Sequence, residues 1–298
     1  NPTTLLYRGL ALADSGHREA ALKDFDRILS LDQRSLFALY NKALVLIALQ
    51  RYAEALTTTE ALLRMEPNYV PALQNLALLH GEAKNHAATL AALDKALKIE
   101  PNTVDLWTTR GMTLSQLKRN DEALRAFEKA IALKPGTADV HIHCINLMME
   151  QERLPEALAW CDKAIAVDAA SAAAFLLRAN ILLHMRRDDE ALAAYDRTVA
   201  AKPDYAEAHS NISLLYLLIG NYEKGFEEYE WRWKNSKLGL NRPLFKQPPW
   251  TGIESLEDKT ILIYSEQGYG DSIQFCRYIE LLKDRGAKKT VLGIEKPL

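Results

Sequence analysis

The chain is poor in the features that announce a special class. Three cysteines in 298 residues, Cys144, Cys161 and Cys276, make no disulfide framework. No apolar run approaches the roughly 20 residues that cross a bilayer, so no membrane span is expected. Neither sign of charge dominates: 37 basic side chains against 39 acidic ones leave a net charge of −2. That balance lacks the basic face that nucleic acid requires, and it argues against a purely electrostatic attachment to membranes. No secretory leader is visible, although the chain starts at Asn1 rather than Met, so a leader could have been removed or not included. The cytoplasm is the expected compartment. Apolar residues at 48% and charged residues at 26% describe an ordinary folded protein, long enough for more than one core.

What the chain does hold is one pattern met seven times, at a period of about 34 residues. Its clearest copy runs from Asp105 to Pro135, with Trp107, Gly111, Ala123, Phe127, Ala130 and Pro135 at fixed spacings. A small residue recurs at Ala21, Ala55, Ala123, Ala157 and Ala191. Four places later stands a bulky residue: Phe25, Leu93, Phe127, Cys161, Tyr195 and Tyr229, with Thr59 out of pattern. Breakers come next at Pro67, Pro101, Pro135 and Pro203. Each copy predicts a helix pair. In the first, Asn1 caps and Pro2 opens a helix that reaches Asp14, Gly16 turns the chain, and a second helix covers Arg18 to Leu31. The third copy is the weakest, with Lys84 where a turn glycine is common and Thr89 where the alanine belongs. One pair cannot cover its own apolar stripe; stacking the copies buries it, in a curved, quasi-linear array.

These spacings, W-x3-G, then A-x3-F-x2-A and a closing proline, resemble the tetratricopeptide repeat over residues 3 to about 234. The resemblance implies an all-α superhelical solenoid of about seven helix pairs, with a concave surface lined by the first helix of each pair. The sixth place of each repeat points there in the family, which selects Tyr7, Asn41, Asn75, Thr109, His143, Leu177 and Asn211. An amide carries both donor and acceptor, so a row of asparagines can hold the backbone of an extended peptide. Asn41, Asn75, Thr109, His143 and Asn211 are therefore candidate groove residues; the alternative is that asparagine is simply common at this place. The second places hold Phe37, Pro71, Asp105, Asp139 and Glu207, which disfavours a cationic clamp for a peptide carboxylate. His141, His143, Cys144 and Cys161 gather in the fifth repeat. His141 and Cys144 share a helix face while His143 points elsewhere, so core packing is expected and no metal site.

The array closes with Gly225 in the place of alanine and then Tyr229-Glu-Trp-Arg-Trp233, read as a docking surface for the chain beyond it, or else as an aromatic cap. Residues 235–252, with Gly239, Pro243, Pro248 and Pro249, form a linker that Phe245 and Trp250 should pin. Residues 253–298 change character. A strand over 259–264, a glycine loop over 265–271, a helix over 273–285 ended by Gly286 and a strand over 290–294 make one parallel βαβ unit. A lone pair of strands leaves open edges, so this reads as the first piece of a larger α/β domain. A homo-oligomer that pairs those edges is a further reading. Gly268 and Gly270 suit a phosphate or other anion at a helix N-terminus; a tight turn without ligand is the alternative. Ile273 stands where a dinucleotide fingerprint needs its third glycine.

From Tyr229-Glu-Trp-Arg-Trp233 through Pro249-Trp-Thr-Gly252 to Ile261-Leu-Ile-Tyr-Ser-Glu-Gln-Gly-Tyr-Gly-Asp-Ser-Ile-Gln-Phe-Cys-Arg-Tyr278, the segment resembles bacterial proteins that join such repeats to a GT-B glycosyltransferase domain. That domain is similar to heptosyltransferases and, more distantly, to O-linked N-acetylglucosamine transferase. The resemblance implies a nucleotide-sugar donor, bound mostly by a second Rossmann half that lies outside this sequence. It also implies a general base at Asp271, beside Gly270. The expectation is thus a scaffold that binds a protein or peptide as the arm of a glycosyltransferase, itself inactive and without a cofactor. The alternative is a pure scaffold with a structural βαβ tail.

Overall fold

The protein is described from a computed structural model, which defines residues 1–240, 245–250, 252–265, 273–274 and 276–293. It comprises two compact units, Asn1–Leu240 and Asn241–Leu298.

The first unit is a run of helix pairs. The leading or A helices are α1 (Pro2–Asp14), α3 (Leu36–Ala48), α5 (Val70–Glu82), α7 (Val104–Gln116), α9 (Ala138–Glu150), α11 (Ala172–His184) and α13 (Ala206–Leu218). The B helices that answer them are α2 (Arg18–Leu31), α4 (Tyr52–Met65), α6 (His86–Ile99), α8 (Asn120–Leu133), α10 (Leu154–Val167), α12 (Asp188–Ala201) and α14 (Tyr222–Tyr229). Each helix starts 34 residues after its predecessor of the same kind, without one insertion. The first pair has the bounds its sequence predicts, and Asn1 Oδ1 accepts from the Thr3 N–H at 3.0 Å. Each A helix packs on its own B helix and each B helix on the next A helix, so the core runs along the stack as a chain of clusters.

The chain reverses between A and B through a residue in the left-handed region at the fifteenth place. Glycine fills it only in the first and last copies, Gly16 (φ 83°) and Gly220 (φ 82°). Gln50, Lys84, Lys118, Glu152 and Arg186 take it at φ 56–59°. Lys84, an apparent weak point in the sequence, takes the same course as its four non-glycine counterparts.

Apart from α2, which starts after His17 with no side-chain cap, the B-helix starts use one of two devices. Arg51, Arg119 and Arg187 each fork onto a glutamate three residues on, Glu54, Glu122 and Glu190, at 2.6–2.8 Å, and Arg153 holds Glu156 in the same way. Where asparagine replaces arginine, its own side chain caps: Asn85 accepts from Ala88 N and Asn221 from Lys224 N. The guanidinium hydrogen bonds hold all four glutamates below the ordinary carboxyl value of 4.5. A depressed carboxyl lends stability above its unfolded value and loses it as pH falls through the folded one. Changing all four to glutamine should therefore flatten the decline in urea midpoint below pH 4.5; superimposable acid limbs would show that the pairs contribute nothing.

Volume is matched across each pair, at the eighth place of the A helix and the twenty-fourth of the unit. Gly9 faces Phe25, and a Cβ on it would lie 2.8 Å from the ring; at Gly111 the distance to Phe127 would be 2.5 Å. In the fifth pair the sizes are reversed, with Ile145 beside Cys161 in one fully buried cluster. Gly225 obeys the same logic: a Cβ there would strike Leu217 at 2.7 Å. Neighbouring repeats are also tied by ion pairs from the seventh place of one A helix to the preceding B helix: Lys42–Asp26 (2.6 Å), Arg110–Asp94 (2.7 Å) and Arg178–Asp162 (3.3 Å).

The second unit carries β1 (Thr260–Tyr264) and β2 (Lys289–Gly293), paired in parallel with Leu262 opposite Val291. Between them, the described residues are α-helical at Ile273 and Gln274, form a 3₁₀ turn at Cys276–Ile279 and run into the one-turn α15 (Glu280–Asp284). Gly286, at φ 89°, ends it. Phe245 lies against Tyr264 at 5.2 Å, and Trp250 Nε1 donates to Glu254 O at 2.8 Å, which anchors the linker as expected.

Candidate peptide-binding face

On each A helix the third, fourth, eighth, tenth and eleventh places are turned into the stack, as Ala38, Leu39, Ala43, Val45 and Leu46 are in α3. The second, sixth, ninth and thirteenth places fall together on the opposite face. The A helices are neighbours, α1 touching α3, α3 touching α5, α7 touching α9 and α9 touching α11, so this face recurs along one layer.

The sixth place is less open than its sequence suggests. Asn41 Nδ2 donates to Phe37 O of its own helix at 2.7 Å. Asn75 Nδ2 is shut from solvent and has no partner among the described residues. Thr109 Oγ1 donates to Asp105 O at 2.8 Å. His143 stacks on Phe127 with centroids 5.4 Å apart; burial pulls its imidazole below the ordinary histidine value, against a smaller upward pull from Asp139. Asn211 donates to Asn180 Oδ1 at 3.0 Å, and the same oxygen accepts from Tyr195 OH at 2.7 Å. Tyr7 is fully open to solvent, 68% exposed, and Leu177 is half-buried.

A run of part-open apolar side chains stands at the ninth place, which sequence reasoning passed over, although Leu10 there packs on the first core cluster and Asn180 holds the Tyr195 hydroxyl. Leu10, Leu44, Leu78 and Met112 occupy it in the first four repeats, then Asn146 and Asn180, then Leu214. Leu44, Leu78 and Met112 are 37%, 46% and 45% exposed, and Phe37 in the second place is 70% exposed. The signal was present in the sequence as large apolar residues at a strict 34-residue spacing, outside the stripe that packs.

Elsewhere the chemistry is structural. Cys144 and Cys161 are fully buried, and burial pushes both thiols up to about 12. His141 is buried, with Nδ1 3.0 Å from Thr137 O. The Trp231 ring, expected to dock the downstream chain, stacks on His209 of α13 at 4.0 Å and 5°. His209 is further fixed by Glu228 and by Pro203 O, and the Arg232 guanidinium lies 4.3 Å from both the Tyr229 and the Trp233 rings. Within the repeat unit this segment thus packs on the last A helix. A cleft of about 650 Å³ between α6, α7 and α8 is walled by Trp107 and Leu97, with Lys98, Arg125 and Lys129 at its rim. Gly268, Gly270 and Asp271, the candidate phosphate loop and base, lie outside the described residues. Among the described residues no helix is long and apolar enough to cross a membrane.

Profiles described as tetratricopeptide repeat match residues 6–70, 40–103, 76–143, 114–181 and 176–230. No curated protein matches the chain. Among solved structures it is similar to a tetratricopeptide repeat protein from Parabacteroides merdae, at 16% identity and TM-score 0.63, over 81% of this chain and 94% of that one. It is similar to the C-terminal part of a TPR repeat-containing protein from Cytophaga hutchinsonii, at 12% identity and TM-score 0.64, over 77% and 94%. YrrB, a TPR protein with an unusual peptide-binding site, aligns at 18% identity and TM-score 0.51, over 62% and 95%. With its repeats matched without a gap from residue 6 to residue 230, the chain belongs to the tetratricopeptide repeat family.

Proposed function

We propose that this chain is a protein-interaction scaffold that holds an extended segment of a partner on its A-helix face. The observation that carries the reading is the open apolar row at the ninth place, Leu44, Leu78 and Met112, beside the polar sixth place. The uncovered part of these side chains, 37–46% of each, adds nothing to the stack, and a partner that covers it gains its burial. The peptide-binding site of YrrB, a protein of like fold, supports the same use. The test is panning of a random peptide library against the full chain and against Leu44→Ser/Leu78→Ser/Met112→Ser. Wild type should enrich peptides that the triple variant does not, while the variant keeps the helical circular dichroism of a folded array. Equal enrichment by both proteins would refute the face.

A second reading, favoured by the parallel pairing of β1 and β2 around a helical segment, makes the scaffold the acceptor-holding arm of a glycosyltransferase. In it the Gly268–Gly270 loop faces a nucleotide-sugar and Asp271 deprotonates the acceptor hydroxyl. Asp271→Asn in the native gene product should then abolish sugar transfer while partner binding persists. Transfer at the wild-type rate would remove Asp271 from the chemistry.

A further inference from the structure

The A-helix face is charged in one sense only. Its second, sixth, ninth and thirteenth places, over seven helices, hold the carboxylates of Asp14, Glu82, Asp105, Asp139, Glu150 and Glu207 and neither lysine nor arginine. The chain as a whole is nearly balanced, 37 basic against 39 acidic, so the cations have been placed elsewhere. Lys42, Arg110 and Arg178 on the same helices are turned to the seventh place and held by Asp26, Asp94 and Asp162. Glu150 is met by Lys118 at 3.3 Å and Glu207 by Lys237 at 2.6 Å. Asp14, Glu82, Asp105 and Asp139 have no ion partner among the described residues. These four lie along the same stretch of chain, α1 to the start of α9, as the apolar row.

The apolar row sets a spacing. Packed helices lie about 8–10 Å apart, and an extended chain rises about 3.3 Å per residue. A strand laid across the A helices therefore meets a new helix about every three residues. Leu44, Leu78 and Met112 can each take one apolar side chain, and the two residues between anchors come to lie among the free carboxylates. The row turns polar at Asn146 and Asn180, which ends the apolar register after the fourth repeat.

We propose that the A-helix face from α1 to the start of α9 selects an extended cationic segment of a partner protein with an apolar side chain at every third residue. This rests on the peptide-binding reading above and names its partner. The apolar anchors supply contact area, and the carboxylates choose the sign of charge and raise the encounter rate.

The test uses the full chain and labelled twelve-residue peptides with leucine at every third position and lysine, serine or glutamate at the rest, read by fluorescence anisotropy. A fourth peptide keeps lysine but sets leucine at alternate positions. The lysine peptide of period three should bind at least about tenfold more tightly than the glutamate peptide, with the gap closing as salt is raised. It should also outbind the alternate-leucine peptide. Asp105→Lys/Asp139→Lys, at two exposed places, should reverse the order of the lysine and glutamate peptides. Serine or glutamate peptides that bind as well as the lysine peptide overturn the proposal. If that binding still vanishes in the Leu44→Ser/Leu78→Ser/Met112→Ser variant, the peptide-binding face stands without it. Binding of the lysine peptide that survives the triple variant overturns it too, since the charge then acts away from this face. Failure of all four peptides, together with no library enrichment, overturns both readings.

Discussion

Gly111→Ile should be among the most damaging single changes in the array, and Phe127→Cys should largely rescue it. The β-carbon of any residue at 111 would stand 2.5 Å from the Phe127 ring, which is itself fully buried and has no space to swing into. Overpacking of this kind costs about 1–3 kcal/mol even when neighbours adjust. Phe127→Cys alone opens a cavity worth about 3–5 kcal/mol. Together the two changes rebuild the arrangement that the next repeat already uses, Ile145 beside Cys161. The double variant should therefore lose less than the sum of the singles by at least about 1 kcal/mol, the coupling expected of side chains in contact. Urea midpoints of the four proteins give the cycle directly. Strict additivity would mean that the two positions do not share one volume.

The second large effect is a gain. Five side chains, Gln50, Lys84, Lys118, Glu152 and Arg186, sit at φ 56–59°, where an L residue is crowded by its own carbonyl. That conformation costs roughly 1–2 kcal/mol for a residue with a Cβ. Glycine relieves it and returns part of the gain as extra freedom of the unfolded chain, about 0.5–1 kcal/mol. Each replacement should net about 0.5 kcal/mol, and all five together about 2–3 kcal/mol, seen as a rise in thermal midpoint. The positions lie in successive repeats and share no contacts, so the gains should add. A fivefold glycine variant that melts at or below the wild-type temperature would show that these residues are not strained.

How far the sequence reached depended on whether a residue acts alone or in concert. Trp107, Gly111, Phe127 and Pro135 each leave a mark at a fixed spacing, and so the bounds of every helix pair were legible. Cys161 passed as one more member of the bulky series because the residue that offsets its small size, Ile145, stands at another place. Lys84 looked like a defect because glycine is only one of the residues that tolerate that turn. At the binding face the row of asparagines drew attention, since amides advertise hydrogen bonds. Yet Asn41 is bonded to its own helix and Asn211 to a neighbour, choices made by local geometry that no spacing reveals. The stacking of Trp231 on His209, 22 residues earlier in α13, left no mark in the sequence. In the second unit, strands were legible from their short apolar runs, and the helical periodicity over 273–285 did not reveal the 3₁₀ turn at Cys276–Ile279 within it.

The reciprocal sizing of glycine with phenylalanine and isoleucine with cysteine has a bearing on how such an array can grow. A lone helix copied from one repeat into another would bring the wrong bulk to its mate: α9 set against α8 would drive Ile145 into the place reserved for an edge of Phe127. Hybrid arrays should tolerate transplanted pairs and reject transplanted halves. Duplication in units of one full period keeps mates together, and it is the mode of descent that this kind of fit permits.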